Sequence, residues 1–446
     1  MYEHSGRRGP QSYSRQVGAR LMLNRTSPAR GDSAADASDY GQMPCAPPDS
    51  ALNLAEKGLL HESRYLRLLS AAEISQKVVG LTHDFYRYPA RFGPAFVREA
   101  IQSFSSSGDV VLDPFMGGGT TLVEAAASQR IALGSDVSQL AMFVARSKTT
   151  SLSDYQIRNV ERWIDTASES TRALLSRANN ESDIRLLGLP QPYRNLLCNL
   201  KSSIFTLPRG ASREFAKCLL LRTTQWAFDG KEVTPRPAEI VGRLRQSFEE
   251  MAVGLRDFRS CVEAKQGKTS DVRVFLANCA ARDLNAGTFG TERKVDLVVT
   301  SPPYLGVHVL YNKWQLRGRT ELRTAFFLSD TNDIGGASAY TIVDRKARSS
   351  APYYTEIERS FSSVRKLLKK DAYVIQLVSF HDASSALPNY LDALKRSGLE
   401  LCETYAGPQQ DLHWRAVPGR RWYARVGAVS DSSASKEVLL IHRNRE

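Results

Sequence analysis

Two short stretches of this chain carry residue types and spacings that can do chemistry. The first reads Asp113-Pro114-Phe115-Met116-Gly117-Gly118-Gly119-Thr120-Thr121. The apolar run 110–112 before it reads as a buried parallel strand, and 122–127 after it as a helix, so the glycines occupy a strand-to-helix turn. Such a turn aims backbone N–H groups and a helix N-terminus at a ligand, and glycine lets that ligand approach the main chain closely. Asp136 closes the next apolar run, 131–134, where an acid suits the two hydroxyls of a ribose. On these residues alone a nicotinamide cofactor and a methyl donor fit equally well. The second stretch, Thr300-Ser301-Pro302-Pro303-Tyr304, ends the strand-like run 295–299. Its prolines stiffen the loop and remove backbone donors. The Ser301 hydroxyl and the Pro302 carbonyl remain as acceptors, beside the flat face of Tyr304.

Taken together, the two stretches resemble the DNA amino-methyltransferases that use S-adenosylmethionine, whose hallmarks are a DPFxGxGTT turn and a [DNS]PP[YF] loop. The resemblance covers about 81–150 and 270–446. It implies a class I methyltransferase: an α/β, Rossmann-like, doubly wound and mostly parallel sheet, here with a helical insertion. It implies double-stranded DNA as substrate and Ser301, Pro302, Pro303 and Tyr304 as catalytic residues. On the cofactor side it places Asp113 near the methionine amino group, Phe115 on the adenine and Asp136 on the ribose. Gly117, Gly119 and Thr120 complete the turn. Asn278 or Asp283 would read the adenine edge. Tyr88, in the stiff aromatic segment 83–94, either walls the methionine end or packs the domain edge. In this family a serine at the 301 position goes with cytosine N4, and Asp or Asn mostly with adenine N6. Cytosine N4 is therefore the expected target, with adenine N6 and RNA guanine N2 as alternatives. A cognate restriction endonuclease or other defence component is the kind of partner such enzymes keep.

Methyl transfer from a sulfonium to an exocyclic amine is an in-line displacement that needs no metal and no covalent intermediate. The obstacle is the amine's lone pair, which is delocalised into the ring. Accepting hydrogen bonds from its N–H protons favours a tetrahedral nitrogen and stabilises positive charge as it develops. The Ser301–Tyr304 loop offers two acceptors and a stacking surface. A base inside a duplex cannot reach it, so the base must be flipped out, at a cost of a few kcal/mol.

Those side chains need a scaffold. Runs at 272–276, 295–299, 373–378, 399–405 and 438–442 read as strands alternating with helices at 95–104, 140–147, 356–369 and 391–397, the pattern of a doubly wound sheet. The last strand fits the antiparallel one that closes this family's sheet. Residues 1–50, rich in Ser, Gly, Arg and Pro, read as a disordered basic tail. Residues 51–150 hold the leading helices and the cofactor half. An insertion follows at 151–270, with apolar stripes at Ile157, Val160, Ile164 and Ala167 and again at Ile240, Leu244, Phe248, Met251 and Leu255. Residues 271–446 form the catalytic half. Within it, the irregular 305–355 is expected to read DNA through Trp314, Arg317, Arg319 and Arg323, with the insertion as the alternative reader. A net charge of +13 over 446 residues points to a polyanionic partner. The six cysteines form no C-x-x-C pair, against a structural zinc site or a disulfide framework. No apolar run or signal core points to a membrane, so a cytoplasmic protein is expected.

Overall fold

Seven strands pair in the order β3-β2-β1-β4-β7-β10-β8. They are β1 (Val110–Asp113), β2 (Ile131–Ser135), β3 (Val274–Ala277), β4 (Val295–Thr300), β7 (Leu368–Val378), β8 (Leu399–Leu401) and β10 (Lys436–Asn444). A hairpin, β5 (Trp314–Leu316) with β6 (Thr320–Leu322), stands apart, and β9 (Trp414–Ala416) pairs with β10. The computed structural model describes residues 62–74, 79–88, 92–177, 183–263, 273–305, 314–317, 320–333, 342, 349–380, 382–403, 412–416 and 436–445. The expected tail 1–50 and Arg319 lie outside them.

β1 runs parallel to both β2 and β4, with Val111 opposite Ala132 on one side and Leu297 on the other. β10 is antiparallel to both β7 and β8, which supplies the closing strand expected at 438–442. The order reverses at β1, so the carboxyl ends of β1 and β4 open a crevice, the place where ligands bind in open α/β sheets.

Strand periodicity explains the layers. Val110, Leu112, Val298 and Val374 point to one face, under α11 (Ala351–Leu367) and α12 (Ala383–Arg396). Val111, Leu297, Val299 and Ile375 point to the other, under α1 (Glu62–Ala72), α2 (Pro94–Phe104), α3 (Thr120–Ala127) and α4 (Gln139–Thr149). β1 and β2 are buried along their whole length, which is why they read as unbroken apolar runs rather than alternating ones.

Between β2 and β3 the described residues form helices joined by loops, with no strand among them. α5 (Asp154–Glu169) opens with a capping box from Ser153 and Gln156. α6 (Thr171–Ser176), α7 (Gln191–Ser203), α8 (Ala211–Phe228) and α9 (Pro237–Glu263) follow. The apolar stripes become the buried faces of α5 and α9. Gly254 of α9 lies so close to the Leu81 carbonyl that a β-carbon there would stand 1.9 Å from its oxygen.

The region after the Ser301–Tyr304 loop departs from the irregular chain expected of it. Residues 314–317 and 320–333 hold the paired strands β5 and β6 and α10 (Thr324–Ser329), and every residue of α10 is buried. Trp314, Leu316, Leu322 and Phe326–Leu328 join the same core as Leu196, Leu219, Leu244 and Leu255 of the insertion. Ion pairs seal the contact, with Asp330 held between Lys201 and Lys217 at 2.5 and 2.9 Å. Three-residue strands are too short to show a period in sequence, and only the partner surface orders them.

Candidate active site

The end of β1 carries Asp113 into the crevice. Its carboxylate accepts from Thr300 Oγ1 at the end of β4 (2.7 Å) and from the Phe115 N–H (3.1 Å). Burial pushes its pKa up to about 6, more than these hydrogen bonds pull it down. Gly117 has a φ of +46° and Gly119 of +74°, both favouring glycine. At Gly118 a β-carbon would lie 2.8 Å from Tyr88 Cβ, and at Gly117 3.2 Å from Tyr88 Cε1. Tyr88 therefore lies directly on the glycine turn, and the close approach that these glycines permit is partly to it. Gly119 faces elsewhere: a β-carbon there would meet Ala145 of α4 at 3.0 Å. It lets α3 pack on α4 and is not among the residues lining the cavity, while Thr120 is.

Asp136 holds the turn from the other side. Its Oδ2 accepts from the Gly117 N–H (2.9 Å) and its Oδ1 from the Ser138 N–H (2.8 Å). Loss of water raises its pKa to about 6 as well. Below the turn the buried Lys148 donates from Nζ to the Gly118 carbonyl at 2.9 Å. Sequence reasoning missed it, because one lysine late in a helix carries no signal of such a role.

A cavity of about 700 Å³ joins these groups to the Ser301–Tyr304 loop, with Asp113, Phe115, Asp136, Ser301 and Tyr304 among its walls. Asn278 and Asp283 do not line it. The exposed Asn278 donates to the Asp136 backbone carbonyl (2.8 Å), and Asp283 turns outward beside Arg282. The wall at the end of β3 is instead Cys279–Arg282, with Glu356 and Arg359 of α11. Arg282 and Glu356 pair at 2.8 Å. The short turn Ala281–Asp283 puts Arg282 on the cavity wall and leaves Asp283 exposed outside it.

In the second motif the protons can be counted. Ser301 donates to the Leu377 carbonyl (3.0 Å) and Tyr304 to Glu437 Oε1 (2.7 Å), with the two hydroxyl oxygens 2.9 Å apart. Both hydroxyl protons are used inward, so Ser301 Oγ can only accept from a group entering the cavity. Tyr353 donates to the Pro303 carbonyl (2.9 Å) and fixes the loop's far side.

The residues expected to touch DNA separate. Trp314 is 2% exposed, and its indole N–H donates to Tyr86 Oη (3.1 Å). It is a core residue, which corrects the expectation that it faces a nucleic acid. Arg317 is exposed in the hairpin turn with a φ of +51°. Arg323 is exposed beside α10, its Nε 3.9 Å from Asp333. The aromatic and arginine density of this region has two causes, a buried face and a solvated edge, which composition alone does not separate.

Residues 62–145 match the N6/N4 methyltransferase family model described as DNA methylase. The type II methyltransferase M.MjaII of Methanocaldococcus jannaschii is 32% identical over 95 residues, 21% of this chain and 17% of that one. The type II methyltransferase M.MvaI of Kocuria varians is 37% identical over 73 residues, 16% of each chain. The chain thus spans under a fifth of the length of these two relatives. The solved structure of TrmN from Thermus thermophilus aligns over 79% of this chain and 49% of that one, at 11% identity and a TM-score of 0.29.

Proposed function

We infer that this chain, whose residues 62–145 belong to the DNA methylase family, methylates an exocyclic amine of a base flipped out of double-stranded DNA, with cytosine N4 as the target. Adenine N6 is the second reading. The observation that carries the reaction is the shared cavity, with a glycine turn and two carboxyls in one part and an accept-only hydroxyl on a proline-stiffened loop in another.

The cavity fits S-adenosylmethionine, which supplies a methyl group on a sulfonium. The side-chain-free turn at Gly117 and Gly118 offers main chain, Phe115 an apolar ring, Asp136 acceptors for a ribose and Asp113 an anion for an ammonium group. At the reacting end, Ser301 Oγ and the Pro302 carbonyl accept the two N–H bonds of the amine and draw its lone pair out of the ring. The loop is already tied at Leu377 and Tyr353, so little reorganises. The Tyr304 ring supplies the stacking face.

In this reading 51–150 and 271–446 form the methyltransferase domain and 151–270 its insertion. Target reading belongs to the body that the insertion builds with residues 314–333, whose exposed hairpin turn presents Arg317. A cognate restriction endonuclease or other defence component is the proposed partner, by analogy with relatives named as type II enzymes. No described helix is long and apolar enough to cross a membrane, and the proposed site of action is the cytoplasm.

Sequencing DNA from expressing cells with a method sensitive to modified bases tests the assignment. Methyl groups at cytosine N4 in one sequence context support it, adenine N6 moves it to the second reading, and labelling of tRNA alone overturns it. In the same assay Arg317→Ala is expected to relax the context, while the exposed Arg256→Ala weakens methylation evenly across sequences.

A further inference from the structure

Tyr304 does not end at its own motif. Its hydroxyl donates to Glu437 Oε1 at 2.7 Å, at the start of β10, 133 residues away in the chain. The other carboxylate oxygen, Oε2, accepts from Arg415 Nε (3.0 Å) and Nη2 (2.7 Å) on β9. Arg415 Nη1 then donates to the Ala72 carbonyl at the end of α1 (3.0 Å). Glu437 is 5% exposed and Arg415 8%. The register places them side by side, since Glu437 pairs with Arg415 across the β9–β10 ladder.

A buried ion pair is a poor device for stability alone, because desolvating both charges offsets much of their attraction. This one presents its Oε1 to the Tyr304 phenol while Arg415 holds its Oε2. Two N–H groups of Arg415 converge on that one oxygen as charge-assisted bonds, and the β9–β10 ladder places the guanidinium beside it. The Tyr304 hydroxyl therefore donates to a buried carboxylate that Arg415 anchors through its other oxygen. A phenol donating to a carboxylate is also richer in ring electron density than one donating to water. A ring face with more negative charge attracts a cation more strongly, and the base stacked on it gains positive charge as its amine is methylated.

We propose that Glu437, held by Arg415, is a positioning residue for the target base, acting through the Tyr304 hydroxyl to orient the stacking ring and strengthen its attraction for the charge developing on the base. The inference rests on the proposed methyl transfer to a flipped base. It assigns a function to two charged residues outside both motifs, and it ties β9, β10 and α1 to the reacting end of the cavity.

The test is a double-mutant cycle in the full chain, read by single-turnover methyl transfer to DNA, with S-adenosylmethionine affinity measured by calorimetry. Tyr304→Phe and Glu437→Gln are each expected to slow the single-turnover rate roughly tenfold, as misplacement of a reacting group does, with cofactor affinity unchanged. The double variant is expected to be no slower than either single one, because both remove the phenol's hydrogen bond to a carboxylate. Losses that multiply, or a Glu437→Gln rate equal to wild type, overturn the proposal. Should Glu437→Gln not fold, Tyr304→Phe alone decides: it deletes one oxygen, leaves the ion pair intact, and a wild-type rate overturns the proposal. Wild-type protein that binds the cofactor yet transfers nothing to DNA overturns the proposed function and this inference together. Transfer by the wild type with multiplying losses overturns this inference only.

Discussion

Lowering the pH from 7.5 to 5 should weaken S-adenosylmethionine binding through two particular carboxyls. Asp113 and Asp136 both have pKa values pushed up to about 6 by burial in the ligand-free protein. The cofactor's ammonium and ribose hydroxyls favour their ionised forms, so binding draws both pKa values down and releases protons. Affinity is then complete above about pH 6 and falls as the pH drops through it. One unit below its pKa, a carboxyl is ionised in about a tenth of molecules, which costs about 1.4 kcal/mol, or tenfold, per group. The charge of Asp136 also raises Asp113 a little, as the smallest of its causes, so the two losses are not fully independent. The combined loss at pH 5 should lie between about tenfold and a hundredfold. Calorimetry in buffers of different ionisation enthalpy measures both affinity and released protons. Asp136→Asn should bind more weakly at pH 7.5 and show about half the pH dependence. The sign for folding is the reverse: with folded pKa values above unfolded ones, these carboxyls favour the ligand-free fold below about pH 4, and that contribution is lost as pH rises through 6. An affinity flat from pH 7.5 to 5, or proton uptake on binding, refutes the reasoning.

Gly118→Ala should lower cofactor affinity without backbone strain, because its β-carbon would stand 2.8 Å from Tyr88 Cβ and must displace residue 88; titration of the cofactor measures the loss. Trp314→Ala should cost about 3–5 kcal/mol of stability in chemical denaturation, as for other buried tryptophans, whereas Arg317→Ala should stay within about 0.5 kcal/mol. DNA association should weaken steeply with salt, given the net charge of +13. Deleting residues 1–50 should leave the methyl-transfer rate intact, and a truncated chain that binds cofactor without methylating would reverse that expectation.

What the sequence determined by itself is local. The glycine turn, Asp136 and the Ser301–Tyr304 loop each lie within a few residues of a strand end, where turn chemistry and apolar runs report position directly. The helix and strand pattern followed from periodicity and the mostly parallel sheet from their alternation, while the closing antiparallel strand was expected from the family resemblance. The partners of those motifs are distant in the chain and had no such signal. Glu437 and Arg415 read as ordinary charges until β9 and β10 pair. Lys148 reads as the end of a helix until α4 packs beneath Gly118. Trp314 reads as an exposed aromatic among arginines until the hairpin meets Tyr86 and the insertion. Asn278 and Asp283 have suitable chemistry, but the turn after β3 points them away from the cavity. Residue type and spacing set what a segment can do; which face it turns inward depends on surfaces hundreds of residues away, and only the tertiary structure decides that.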